Sequence, residues 1–191
     1  MAGSSPQPGT GDRLLVSRAE DAVHIQVMGL GTMFLAPTLQ ALVESELKAG
    51  FSNFVVDLAR CDGMDSTFMG TFIGLSTQVK SGYGWFCLVN VTPENMRLLK
   101  MLGVLHMVSI HEGEFPSASS GFTTLHPTSD PYVRQKQIHS AHRLLLDADP
   151  ENEKRFGPFI KALEEEMADV PTILPPSDHQ DDAPSGKPRE R

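Results

Sequence analysis

The sequence predicts an α/β domain with a mixed sheet, built from an opening hairpin and then parallel βαβ crossovers with helices stacked on it, followed by a C-terminal helical pair. Three observations carry this. Val23-His24-Ile25-Gln26-Val27 alternates apolar and polar residues as a half-buried strand must. Phe54-Val55-Val56-Asp57-Leu58 and Trp85-Phe86-Cys87-Leu88-Val89-Asn90-Val91 are continuous apolar runs, which suit strands covered on both faces. Segments of helical period separate these runs, and a strand, helix, strand order implies right-handed parallel crossovers.

Residues 1–12 are Gly, Pro, Ser and Thr with almost nothing to bury and predict a disordered N-terminus. The domain then spans 13–112. Leu14-Leu15-Val16-Ser17 and Val23–Val27 form the hairpin around Glu20-Asp21. After a break at Gly29-Leu30-Gly31, Leu35, Leu39, Leu42, Val43 and Leu47 predict a helix over 34–49, stopped by Gly50. Cys61-Asp62-Gly63-Met64-Asp65 reads as a turn. Phe68, Phe72, Leu75 and Val79 predict a second helix that starts at Asp65 or Ser66 and ends at Gly82. Thr92-Pro93-Glu94 opens a third with a Thr cap and Pro at the first position. Val108-Ser109-Ile110 closes the order β-β-α-β-α-β-α-β.

Residues 113–129, rich in Ser, Thr, Gly and Pro, read as a linker to a helical pair over 130–170, with helices at about 131–147 and from Glu151. Pro158 predicts a kink or a restart in the second helix. Two short amphipathic helices cannot bury their stripes alone, so these must dock on the α/β domain, on a second copy or on a partner. The tail 171–191 reads as disordered.

With 16 basic against 24 acidic side chains the formal charge is -8, and no basic cluster offsets it, which excludes nucleic acid as a partner. Cys61 and Cys87 lack any metal-ligand or redox spacing and read as reduced thiols. No secretion signal and no membrane-spanning stretch is present, so the expectation is cytoplasmic, without membrane insertion. His139 and His142, three apart with no third ligand, read as a helix face rather than a metal site. Gly29-x-Gly31 lacks the third glycine of a dinucleotide loop, and no Gly-Lys-Ser/Thr occurs. No cofactor site and no active site assembles; the expectation is a protein that is not an enzyme.

The informative segment runs from Phe54 to Gly70, where a buried strand ending in Asp57-Leu58 leads through Met64 to Asp65-Ser66-Thr67-Phe68-Met69-Gly70 at a helix start. It resembles the signature of the STAS domain family (sulfate transporter and anti-sigma factor antagonist), whose order of elements is also the order above. The resemblance implies a protein-binding regulatory switch of the anti-sigma factor antagonist type. The serine at the position of Ser66 is then phosphorylated by an anti-sigma factor that is itself a serine kinase of the histidine-kinase-like ATPase type. The partner face implied is Thr32, Asp65, Ser66, Thr67, Phe68 and Met69, with Thr67 and Thr32 as secondary phosphorylation candidates. Phe68 departs from the pattern, which has glycine there.

A phosphate on Ser66 would lie over the first-turn N–H groups and the positive end of the helix, and would place about -1.5 to -2 charges beside Asp65 and Asp62. That repels a partner docked flush. Asp65 or Ser66 also reads as an ordinary N-cap. The rival to the switch is a constitutive, non-phosphorylated assembly subunit of a stressosome-like or lipid-transport complex, for which the helical extension speaks, with homo-oligomerisation through it.

Overall fold

The computed structural model describes residues 11–19, 22–113, 115 and 121–168. The expected disordered ends, apart from Gly11 and Asp12, and the hairpin turn Glu20-Asp21 lie outside them. β1 (Arg13–Arg18) pairs antiparallel with β2 (Val23–Gly31), with Leu14 opposite Val27 and Val16 opposite Ile25. These four side chains, together with Val23, turn inward and are fully or almost fully buried, as the alternation requires. β3 (Asn53–Asp57) lies parallel to β2, β5 (Trp85–Val89) parallel to β3, and β6 (Ser109–Ile110) parallel to β5.

Two strands were not expected. Cys61–Met64 is not a free turn but a strand, β4, lying parallel to the end of β2, which therefore continues through Gly29-Leu30-Gly31 instead of breaking there. The supposed linker contains β7 (Thr123–Leu125), which pairs antiparallel with β1 and covers that edge. The sheet order is β6-β5-β3-β2-β1-β7, with β4 alongside β2.

The crossover helices are α1 (Ala36–Lys48), α2 (Ser66–Ser81) and α3 (Pro93–Met101). α3 begins as its sequence dictates, with the Thr92 hydroxyl accepting from the Asn95 N–H. The main core gathers Leu14, Ile25, Leu39, Phe54, Phe72 and Phe86 between sheet and helices. On the opposite face Ala22, Val55 and Val89 form a smaller cluster with Phe115 and Cys87. Burial on both faces accounts for the continuous apolar run of β3.

Phe68 belongs to this core. Its ring is fully buried, edge-on to Phe72 at 5.0 Å between centroids, in the space that Gly31 leaves open. A Cβ at residue 31 would stand 2.5 Å from Phe68 Cδ1. The large side chain at the family's glycine position thus turns inward and is not a surface obstacle.

α4 (Pro131–Ala148) starts at Asp130, whose carboxylate accepts from the Tyr132 and Val133 N–H groups, and α5 (Glu151–Ala168) runs unbroken through Pro158. The pair docks on the chain's own α/β unit. Fully buried Leu145 joins the main core, and Asn152 Nδ2 donates to the carbonyls of Leu145 (2.7 Å) and Leu102 (3.1 Å).

Gly31→Ala is expected to destabilise the chain by about 1–3 kcal/mol through overpacking. In urea this appears as a lower midpoint at unchanged slope. Because the clash is with one ring, Gly31→Ala combined with Phe68→Leu should cost less than the sum of the single changes; strict additivity would place the strain elsewhere.

Candidate functional site at the start of helix α2

Asp65 follows β4 in extended conformation (φ -89°, ψ 170°) and caps α2. Its Oδ1 accepts from the Phe68 N–H at 2.8 Å and its Oδ2 from the Met33 N–H at 2.7 Å, while its own N–H donates to the Gly31 carbonyl at 3.0 Å. One carboxylate therefore ties the entrance of α1 to the entrance of α2. Burial pushes its pKa above the ordinary 3.8, opposed by the N–H donors of Phe68, Met33 and Thr67 and by His142.

Ser66 is the first residue of α2, half-buried, with its Oγ 2.9 Å from His142 Nε2 on α4. The other ring nitrogen, Nδ1, lies 2.8 Å from the Ile138 carbonyl. A carbonyl only accepts, so Nδ1 carries the proton, Nε2 is the acceptor, and the Ser66 hydroxyl donates to it. Burial pushes the His142 pKa below its ordinary 6.5, opposed by the Ile138 bond and the Asp65 charge, so the ring is neutral at pH 7. Phe156 and Phe159 of α5 stand edge-to-face against it at 4.9 and 5.0 Å. A cavity of about 410 Å³ opens here, lined chiefly by Asp65, Ser66, Ile138, His142, Arg155 and Phe159.

The sequence-predicted residues divide accordingly. Thr32, Asp65 and Ser66 come together at one edge of the sheet, because the Met33 N–H reaches Asp65. The Thr32 hydroxyl oxygen is buried and has no hydrogen-bond partner. Thr67 and Met69 are 3% and 2% exposed, and Phe68 is wholly buried. Phe68 and Met69 therefore face the core and not the surface while α2 is packed as it is, whereas Thr67, though nearly buried, lines the cavity beside Ser66.

The expected cradle for a phosphate is also altered. Asp65 already occupies the Phe68 N–H, so a group on Ser66 would meet a carboxylate and an imidazole lone pair in place of free first-turn donors.

The residue that sequence reasoning missed is His142. It lies 76 positions from Ser66 and was read with His139 as a solvated helix face or a core edge, not as a partner of that serine. His139 instead faces Glu164 at 2.9 Å, while His142 follows Ile138 by four and precedes Leu145 by three, on the apolar side of α4. That spacing was the available signal. Among the described residues no three His, Cys, Asp or Glu side chains converge as a metal site, and no helix is long and apolar enough to cross a membrane.

A family model described as STAS domain matches residues 17–115, just over half of the chain. Similar solved structures include a putative anti-sigma factor antagonist from Thermotoga maritima, at 20% identity and TM-score 0.48, covering 51% of this chain and 85% of that one. The anti-sigma factor antagonist SpoIIAA in its unphosphorylated form matches at 19% identity and TM-score 0.44, covering 53% and 88%. An anti-sigma factor antagonist from Mycobacterium paratuberculosis matches at 18% and 0.47, covering 52% and 85%. No curated protein matches the sequence.

The lowered pKa of His142 sets a pH dependence. Above 6.5 the ring is neutral whether the chain is folded or unfolded; below it the unfolded chain binds the proton first, so stability falls on acidification until the folded pKa is reached. Asp65, raised in the folded state, works the other way above 3.8, but it is common to wild type and His142→Gln. Chemical denaturation between pH 7.5 and about pH 5.5 should show wild type losing more stability than His142→Gln. Parallel curves would remove the buried neutral imidazole from the account.

Proposed function

This chain belongs to the STAS domain family, and we propose from that premise that it is a non-enzymatic, cytoplasmic protein-binding switch of the anti-sigma factor antagonist kind. Its partner is a serine kinase of the histidine-kinase-like ATPase type, and phosphorylation of Ser66 controls the affinity.

The position of Ser66 carries this reading. Of the three hydroxyl residues brought to this edge, Ser66 is the half-buried one; Thr67 lines the same cavity but is 3% exposed, and the Thr32 oxygen is buried. A phosphoryl group there adds about -1.5 to -2 charges next to Asp65, and a partner face pressed against it loses affinity through repulsion and desolvation.

The rival reading, a constitutive assembly subunit, drew its support from helices that needed something to dock on. α4 and α5 find that support on their own domain, so burying their stripes does not call for a second copy. The switch is the better account.

The test is to incubate the full chain with ATP and each histidine-kinase-like ATPase encoded in the same genome, then map the product by mass spectrometry. Phosphate at Ser66, absent in Ser66→Ala, is the expected result; modification elsewhere would overturn it. With the kinase that modifies the chain, Ser66→Asp should bind at least about tenfold more weakly than Ser66→Ala, equivalent to ~1.4 kcal/mol.

A further inference from the structure

The face of α2 that begins at Ser66 is occupied, and its occupant is another part of the same chain. α4 crosses it at close range. A Cβ at Gly70 would stand 2.4 Å from the Ala141 carbonyl oxygen, and one at Gly74 would stand 3.1 Å from Leu144 Cδ1. Two side-chain hydrogen bonds fix the register, Ser66 to His142 at 2.9 Å and Gln137 Nε2 to Thr71 Oγ1 at 2.8 Å. From α5, Arg155 Nη1 donates to the Met101 carbonyl at 2.7 Å.

The occupant buries a smaller share of its residues than the helix it covers. Only Ala141, His142 and Leu145 of the eighteen residues of α4 are buried, and only Asn152, Ile160 and Leu163 of the eighteen of α5. α2 buries ten of its sixteen. Elements with few buried apolar side chains open at lower free energy than the core they rest on.

We propose that the α2 face from Ser66 to Gly74 is a protein-interaction surface for which α4–α5 is the resident, displaceable ligand. The partner that fits it is a helix presenting a small residue over Gly70 and hydrogen-bonding side chains over Ser66 and Thr71, as α4 does with Ala141, His142 and Gln137. The partner's apparent affinity is then the intrinsic affinity multiplied by the fraction of molecules that are open.

The inference rests on the proposed switch only in taking Ser66 as the modified residue. A kinase reaches the hydroxyl in the open state, and the phosphoryl group then prevents reclosure. Beneath α4 it would face the Asp65 carboxylate and the unprotonated Nε2 of His142 among Phe156, Phe159 and Ile138. Among the described residues Arg155 is the one cation lining that cavity, and its Nη1 is engaged with Met101 and Asn152.

Hydrogen exchange read by mass spectrometry on the full chain tests this without any kinase or partner, so its outcome is independent of whether Ser66 is ever phosphorylated. In wild type, residues 131–168 should exchange at least about tenfold faster than β3 and β5. In Gly70→Ala, where the added methyl pushes against Ala141, exchange in 131–168 should rise about tenfold further while β3 and β5 keep wild-type protection. Ser66→Asp should do the same by charge, and stands in if Gly70→Ala loses protection throughout. Equal protection of helices and sheet in wild type and Ser66→Asp would make the pair a fixed part of the core and overturn the proposal. A doubled mass in light scattering with the helices exchanged between copies would also overturn it, because the ligand would then be a second chain.

Discussion

The carboxylate of Asp65 is the constraint on which the rest of this edge depends. Two parallel crossovers leave the sheet side by side, each starting a helix with unsatisfied N–H groups. Asp65 satisfies one donor from each, the Met33 N–H before α1 and the Phe68 N–H in α2, while its own N–H closes on the Gly31 carbonyl. Desolvation raises its pKa, and the bonds it accepts oppose that shift. With these donors consumed, the Ser66 hydroxyl has no use as a cap. It turns outward and takes its partner from α4.

From that point the chemistry of the site follows from one ring. His142 holds its proton on Nδ1 for the Ile138 carbonyl, so Nε2 can only accept, and Ser66 can only satisfy it as a hydroxyl donor. A protonated imidazole does not remove that complementarity, because the hydroxyl can turn and accept from Nε2–H. An esterified serine does, leaving acceptor oxygens facing the Nε2 lone pair in a cavity whose remaining walls include Phe156, Phe159, Ile138 and Met33. Buried polar pairs behave asymmetrically in this way: complete, each contributes modestly, but losing one member costs the full desolvation of the other.

How much of this was legible in the sequence depended on the range of the interactions concerned. Val23 to Val27, the apolar run of β3 and the Thr92-Pro93 start of α3 are local signals, and each element lies where its residues place it. β4 and β7 escaped because four residues containing Gly63 and three containing two threonines carry no run of their own; pairing to the end of β2 and to the free edge of β1 makes them strands. Phe68 was assigned to the surface by comparison with a glycine, although its helical spacing with Phe72 already placed it on the core face. What decides its position is the empty space over Gly31, on a different strand.

His142 was illegible for the same reason, at a longer range. Its place on the apolar side of α4 could be read from Ile138 and Leu145, but nothing local says that a serine 76 residues earlier lies beneath it. The glycines of α2 held a clue of another kind. Gly70 was counted as part of a family motif, and Gly74 was not counted at all; in the middle of a helix each costs up to about 1 kcal/mol relative to alanine. Such residues persist in a helix interior when something must approach the backbone closely, and here the Ala141 carbonyl would lie 2.4 Å from a Cβ at Gly70. A helix that keeps Gly70 and Gly74 on the turns after Ser66 is shaped for a neighbour, and in this chain the neighbour is encoded in the same sequence.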